Sequence, residues 1–181
     1  VNPEATNMLR YAFESGFRVS IYTTLYNWTI ETAEEVAGLL ETYRTKIDTF
    51  SIHFPDEYDN MKGWKYSKEW EDVYYIMTGR VQAANIKLEA MTMSDHGKIH
   101  KDLQHLGVQL YNWFGHDRAG SLNKEQVKTD QKIQYVERHE KPISCSKTVN
   151  YDQHVLMPNG DVAICCMDYD LKHILGNLNR D

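Results

Sequence analysis

The sequence contains little cysteine and no long apolar run. Its three cysteines, Cys145, Cys165 and Cys166, are an odd number. An odd and low count does not suit a secreted disulfide scaffold, so we expect a reducing, cytoplasmic location. No apolar stretch approaches the length of a membrane span, and no signal-peptide pattern opens the chain. Membrane partners are therefore not expected.

Positive charge is also scarce. Lys and Arg number 20 against 26 Asp and Glu, which gives a formal net charge of −6. A surface that binds a phosphate backbone needs a basic stripe, and the sequence has none, so nucleic acid is not an expected partner. Hydrophobic residues make up 41% and charged residues 25% of the chain, which is ordinary for a globular protein with a packed core.

Helical and strand patterns alternate over residues 1–114. The helical period and end signals predict helices in "PEATNMLRYAFESG", "TIETAEEVAGLLETYR" and "SKEWEDVYYIMTGRVQAA", and a short helical turn in "KIHKDLQHLG". Strands are predicted in "FRVSIYT", "IDTFSIHF", "IKLEAMTM" and "VQLYNWF". This alternation is typical of βα units around a parallel sheet, which either closes into a barrel or stays open. Predicted helix-face positions are Ala5, Met8, Leu9 and Ala12 in the first helix, and Ala33, Val36, Ala37 and Leu40 in the second.

Polar residues gather where the predicted strands end. In a parallel α/β sheet, function is expected at the carboxyl ends of the strands. These ends read "YTTLYN", "SIHFPDEY", "AMTMSDH" and "NWFGHDRAG". They are rich in Thr, Ser, His, Asp and Arg, as a polar site requires.

All three cysteines surround one predicted β-hairpin. After a polar connecting segment at 115–141, the strands "DQHVLMP" and "DVAICC" are joined through Asn159 and Gly160, a pair that favours a type I′ turn. Clustered thiolates select iron–sulfur clusters or zinc. The alternative is that the three are small buried residues, since cysteine is often buried. Three thiolates are also one short of the usual four.

The spacing around this hairpin resembles a known family. Cys145, Gly160 and Cys165 form a C-x14-G-x4-C pattern within "CSKTVNYDQHVLMPNGDVAIC". This pattern and the following "CMDYDLKHILGNL" resemble the SPASM or twitch auxiliary-cluster domain of radical S-adenosylmethionine (radical SAM) enzymes. "NPEATNMLRYAFESGFRVSIYTTLYNWTIETAEEVAGLL", "TFSIHFPD" and "GHDRAGSL" resemble later parts of the partial barrel in that family.

The resemblance implies a fold and a set of site residues. The expected fold is α/β: residues 1–114 form the later part of a partial (β/α) barrel of parallel strands, and residues 142–181 form an incomplete, cysteine-bearing hairpin module. Contacts with SAM or substrate are implied for Thr23, Thr24, Ser51, His53 and Arg118. An auxiliary [4Fe–4S] cluster is implied on Cys145 and Cys165, with Cys166 as a third ligand or a buried neighbour.

The resemblance also implies a reaction. In that family a 5′-deoxyadenosyl radical made from SAM removes hydrogen from a peptide, sugar or small-metabolite substrate, with electrons from a reductant such as flavodoxin or ferredoxin. The C-x3-C-x2-C loop that binds the radical-generating [4Fe–4S] cluster is not found in these 181 residues. We therefore expect the chain to be a piece of a longer enzyme, with that loop before Val1, and to be inactive by itself.

Other interpretations of the same residues stay open. Thr and Ser at strand ends often cap the next helix, and Arg118 suits a surface ion pair as well as a ligand contact. His96 and His100 have helical spacing but lack the Glu of a metalloprotease helix. An aromatic-rich region suits either a substrate wall or ordinary packing: Tyr58, Trp64, Tyr66, Trp70, Tyr74 and Tyr75. As a whole, the chain could instead be a non-catalytic metal- or ligand-binding α/β module, or a metal-free domain with buried cysteines.

Overall fold

The chain divides into two compact units, Val1–Trp113 and Phe114–Asp181. The computed structural model describes residues 4–59, 61, 63–92, 98–110, 155–157, 159–163 and 173–180. The predicted connecting segment, 115–141, lies outside these residues, so the three-part division stays a prediction.

The first unit is an α/β structure with a three-stranded parallel sheet. Its elements are α1 (Ala5–Glu14), β1 (Val19–Thr23), α2 (Ile30–Thr42), β2 (Ile47–Phe54), α3 (Lys68–Ala83) and β3 (Leu88–Thr92), with short 3₁₀ helices at Arg44–Lys46 and Lys101–Leu106. The strands lie in the order β1-β2-β3, and both pairings are parallel. The predicted α/β class with parallel strands is confirmed.

Helices α2 and α3 begin where their sequences provide caps. The Thr29 hydroxyl accepts a hydrogen bond from the Thr32 amide (3.2 Å), and the Ser67 hydroxyl accepts one from the Trp70 amide (3.1 Å). Each cap satisfies an amide that the first helical turn leaves without a partner. Acidic residues follow in both first turns, where the helix dipole favours negative charge.

The core lies between the helices and one face of the sheet. Ala33, Val36, Ala37 and Leu40 of α2 are buried, as predicted. From α3, the Trp70 and Tyr74 rings lie 5.9 and 5.6 Å from the ring of Phe54 on β2. Helices α2 and α3 are also joined at the surface: Arg80 pairs with Glu34 (2.7 Å) and Glu41 (2.8 Å).

Two predictions for the first unit need correction. In α1 the buried residue is Phe13, which stacks on Tyr43 at 4.9 Å, whereas Met8 is 53% exposed. Leu9 packs against the core while Ala5 is exposed, so the apolar stripe of the helix is only partly covered. The strand predicted in "VQLYNWF" is not formed over residues 108–110, and its remaining residues lie outside the described part.

The second unit contains a small antiparallel sheet. Strands β4 (Val155–Leu156), β5 (Asp161–Ala163) and β6 (Ile174–Asn177) lie in that order, and β4 and β5 form the predicted hairpin. The cysteines predicted to flank it are outside the described residues.

The hairpin turn differs from the predicted type I′. Gly160 has φ +88°, and the Asp161 amide, which would close a type I′ turn, donates instead to the Asn159 side chain at 3.1 Å. The Gly160 amide donates to Met157 O (2.9 Å), and the Met157 amide donates to Asp161 O (2.8 Å), as in a hairpin that closes with a glycine bulge. Side chains from β6 and beyond stabilise this form, because Asn177 and Asn179 both donate to Asn159 O.

We predict that Gly160→Ala destabilises the second unit by about 1–3 kcal/mol, because a side chain strains the positive φ. The new Cβ would also overlap the side-chain amide of Asn179. Urea unfolding measures the loss, and hydrogen exchange at the Leu178 amide, which donates to Gly160 O, localises it.

Gly38→Ala in α2 is the matched control, since a Cβ there meets no atom within 4 Å. It should stabilise the protein by about 0.5–1 kcal/mol. Equal effects of the two substitutions would contradict the assignment of the turn.

Candidate functional site

The face of the parallel sheet opposite the core is polar. Side chains alternate along each strand, so Phe50, Ile52 and Phe54 point to the helices while the residues between them point away. With the neighbours that the strand register places beside them, these residues form a surface that we call the polar face: Ser20, Tyr22, Thr49, Ser51, His53, Glu89 and Met91.

Ser51 lies at the centre of the polar face. It is 1% exposed, and within the described part of the chain no hydrogen bond reaches its Oγ. A buried hydroxyl without a partner costs about 1–3 kcal/mol, so such atoms are few in folded proteins. Its register neighbours are Tyr22 on β1 and Glu89 on β3.

His53 and Tyr22 form an aromatic corner on the same face. The two rings are nearly perpendicular, at 87°, and their centroids are 6.2 Å apart. Tyr22 is 62% exposed. Two of the predicted site residues, Ser51 and His53, therefore share one surface with an accessible aromatic side chain.

Thr23 and Thr24 do not lie on the polar face. Thr23 pairs in register with Ile52 and so faces the helices, and its hydroxyl accepts from the Leu25 amide at 3.0 Å. The Thr24 hydroxyl accepts from the Tyr26 amide at 3.3 Å, and the Thr24 carbonyl accepts from Trp70 Nε1 at 3.1 Å. Both threonines stabilise the turn after β1 and do not cap α2, which begins at the Thr29 cap.

Four predicted site residues lie outside the described residues: Arg118, Cys145, Cys165 and Cys166. His96 lies outside as well. His100, the other histidine of that spacing, accepts from the Asp102 amide at 3.3 Å, and its ring lies 5.2 Å from that of Trp64. Among the described residues, no group of three or more His, Cys, Asp or Glu side chains has the arrangement of a metal site.

Three of the six residues in the aromatic-rich region pack in or against the core. Trp64 and Trp70 are buried, with ring centroids 5.9 Å apart, and Tyr74 stacks on Trp70 at 5.8 Å. Tyr66 and Tyr75 are exposed. Core packing is thus the better interpretation for Trp64, Trp70 and Tyr74.

The sequence interpretation missed Tyr22 and Glu89. Both occupy alternate positions on predicted strands, so strand periodicity would have placed them beside Ser51 once the strand order was known. The Glu89 carboxylate is 22% exposed and lies 2.5 Å from Lys87 Nζ. The charge on this side of the sheet is therefore locally balanced.

A second polar cluster, also missed, surrounds Glu71 in the first turn of α3. Its buried carboxylate accepts from the Tyr66 hydroxyl (2.5 Å) and lies 3.2 Å from His105 Nε2 and 3.3 Å from Lys68 Nζ. Hydrogen bonding from Tyr66 is the main cause that lowers the pKa of Glu71, with Lys68 and His105 acting in the same sense and burial opposing. The cluster links α3 to the 3₁₀ helix at Lys101–Leu106.

We predict that Glu71 contributes stability that acid removes. Because its pKa in the folded protein is below the ordinary 4.5, the contribution is complete above pH 4.5 and is lost as the pH falls through the folded value. Glu71→Gln should lower the free energy of unfolding at pH 7 and flatten its decline on acidification, as measured by urea unfolding at successive pH values.

Glu69→Gln is the control, because it removes a carboxylate from an exposed position in the same turn of α3. A Glu71→Gln protein whose acid dependence matched that of the parent would contradict the assignment.

Within the described residues, none of the helices combines the length and the apolar character that a membrane span requires.

Comparisons of the chain with models of protein families, with curated proteins and with solved structures find no match. Any functional assignment therefore depends on the residues themselves.

Proposed function

We propose that this chain is part of a radical SAM enzyme in which the cysteine hairpin binds an auxiliary iron–sulfur cluster. The observation that carries the proposal is the C-x14-G-x4-C pattern formed by Cys145, Gly160 and Cys165 around a hairpin. The β4–β5 pairing and the positive φ of Gly160 support it, because they give the glycine in the pattern a structural requirement.

The cysteines are chemically suited to such a cluster. Thiolates are the ligands that iron–sulfur clusters use, and all three cysteines of the chain lie in the segment 145–166. Cys145 and Cys165 are the proposed ligands. Adjacent residues of a strand point to opposite faces, so Cys165 and Cys166 both bind one cluster only if the predicted strand "DVAICC" ends or twists at these two residues.

The first unit is proposed to be the later part of a partial barrel. Its strands are neighbours in chain order, as in a singly wound barrel. A groove of about 370 Å³ lies beside α3 and β3, lined by Phe54, Tyr74, Leu88, Ala90 and Leu106 among others. A further βα unit packed beside β3 would cover these apolar side chains.

In the proposed enzyme the polar face and the strand ends hold SAM and substrate. SAM and its own cluster supply the hydrogen-abstracting radical, and the protein supplies orientation and exclusion of competing reactions. Ser51 and His53 are proposed to contact the bound molecules from the polar face. Thr23 and Thr24 shape the turn beside it, Arg118 is a proposed contact from the segment after residue 114, and flavodoxin or ferredoxin is the proposed reductant in the cytoplasm.

We predict that the 181-residue chain takes up iron and sulfide on anaerobic reconstitution and gains the visible absorption of an iron–sulfur cluster. Cys145→Ala and Cys165→Ala should each abolish most of this uptake, because each removes a proposed ligand. Iron and sulfide analysis together with absorption spectra measures the result.

Cys166→Ala is the matched control. It should reduce the uptake of iron and sulfide less than Cys165→Ala, the substitution of the adjacent cysteine. Circular dichroism of each variant separates ligand loss from misfolding. Absence of iron uptake by the parent chain, or equal uptake by Cys145→Ala, would contradict the proposed cluster site.

A further inference from the structure

The polar face contains a buried hydroxyl that a ligand would satisfy. Ser51 Oγ is buried at the centre of β2, and no hydrogen bond from the described part of the chain reaches it. A hydroxyl both donates and accepts, so its natural complement is a group that can do either. Tyr22, its register neighbour, is 62% exposed and is therefore accessible to a ligand on this face.

The charges around Ser51 disfavour an ionic ligand. An anion would have to compete for Lys87 with the carboxylate of Glu89, the other register neighbour of Ser51. A cation would have to displace Lys87, whose Nζ already lies 2.5 Å from the Glu89 carboxylate. A neutral ligand with several hydroxyls does not have to disrupt the pair of Lys87 and Glu89. Carboxylate, imidazole and hydroxyl groups can all hydrogen-bond to such a ligand.

The aromatic corner formed by Tyr22 and His53 favours a ligand that contains a ring. The Tyr22 ring stands at 87° to the His53 ring, so a flat or chair-shaped ring can lie on Tyr22 while its edge meets His53. The C–H face of a sugar ring is apolar enough to pack on an aromatic ring, and its hydroxyls then point toward Ser51, His53 and Glu89.

We infer that the polar face binds a neutral, polyhydroxylated ring, and that the substrate of this protein is of the sugar class. The buried Ser51 hydroxyl, the exposed Tyr22 ring and the paired charge of Glu89 carry this inference. Only the identification of the ligand as the substrate rests on the proposed function. Binding to the polar face can be tested separately, because the cysteines that test the proposed function are not part of this face.

Saturation-transfer NMR on the whole 181-residue chain tests the inference. The probes are methyl glucoside, its anionic and cationic relatives glucuronate and glucosamine, and S-adenosylhomocysteine. Methyl glucoside should bind more tightly than either charged relative. Ser51→Ala and Tyr22→Ala should each weaken its binding about tenfold, through an unpaired ligand hydroxyl and a lost ring contact respectively.

Thr42→Ala is the control, because its hydroxyl donates to Gly38 O within α2 and is not on the polar face. It should leave binding unchanged, and circular dichroism checks that each variant is folded. The inference is overturned by no binding of methyl glucoside, by binding that neither Ser51→Ala nor Tyr22→Ala weakens, or by tighter binding of a charged relative. Binding of S-adenosylhomocysteine alone, lost in Ser51→Ala, also overturns it, because the face would then serve the cofactor.

Discussion

The alternation of side chains along β2 is the constraint on which the first unit depends. As the central strand it pairs with both neighbours, so every residue of β2 is assigned to one face or the other. Phe50, Ile52 and Phe54 join the core under α2 and α3, and burying such side chains stabilises the unit by about 1.5–3 kcal/mol each. The same alternation sends Ser51 and His53 to the opposite face. The alternation along β2 therefore positions both the core residues and the residues of the candidate site.

Much of the fold could be predicted from periodicity and end signals. The apolar stripe of α2 and the caps at Thr29 and Ser67 are local features, and the structure has them where the sequence indicates. The hairpin turn was predicted wrongly because its form depends on Asn177 and Asn179, which are distant in sequence. The preference of an Asn-Gly pair for a type I′ turn takes no account of such distant contacts.

The site was predictable only in part. Ser51 and His53 were predicted from the polar strand end in "SIHFPDEY" and from the family resemblance of "TFSIHFPD", and the structure places both on the polar face, while their role in binding stays a prediction. Thr23 was placed at the same end of the sheet, but its register opposite Ile52 turns it to the helices. The Glu71 cluster was missed because a first-turn Glu normally indicates only a dipole contact. Its burial depends on Tyr66 and His105, and the latter belongs to a separate 3₁₀ helix.

The proposal that the polar face holds SAM and substrate requires a radical-generating cluster in the same enzyme. The most direct test is the coding sequence immediately upstream of Val1. The account predicts a C-x3-C-x2-C loop there, followed by a glycine-rich strand, within the length of two βα units. An upstream reading frame without the three-cysteine loop, or a start of translation at this position, would contradict the radical mechanism.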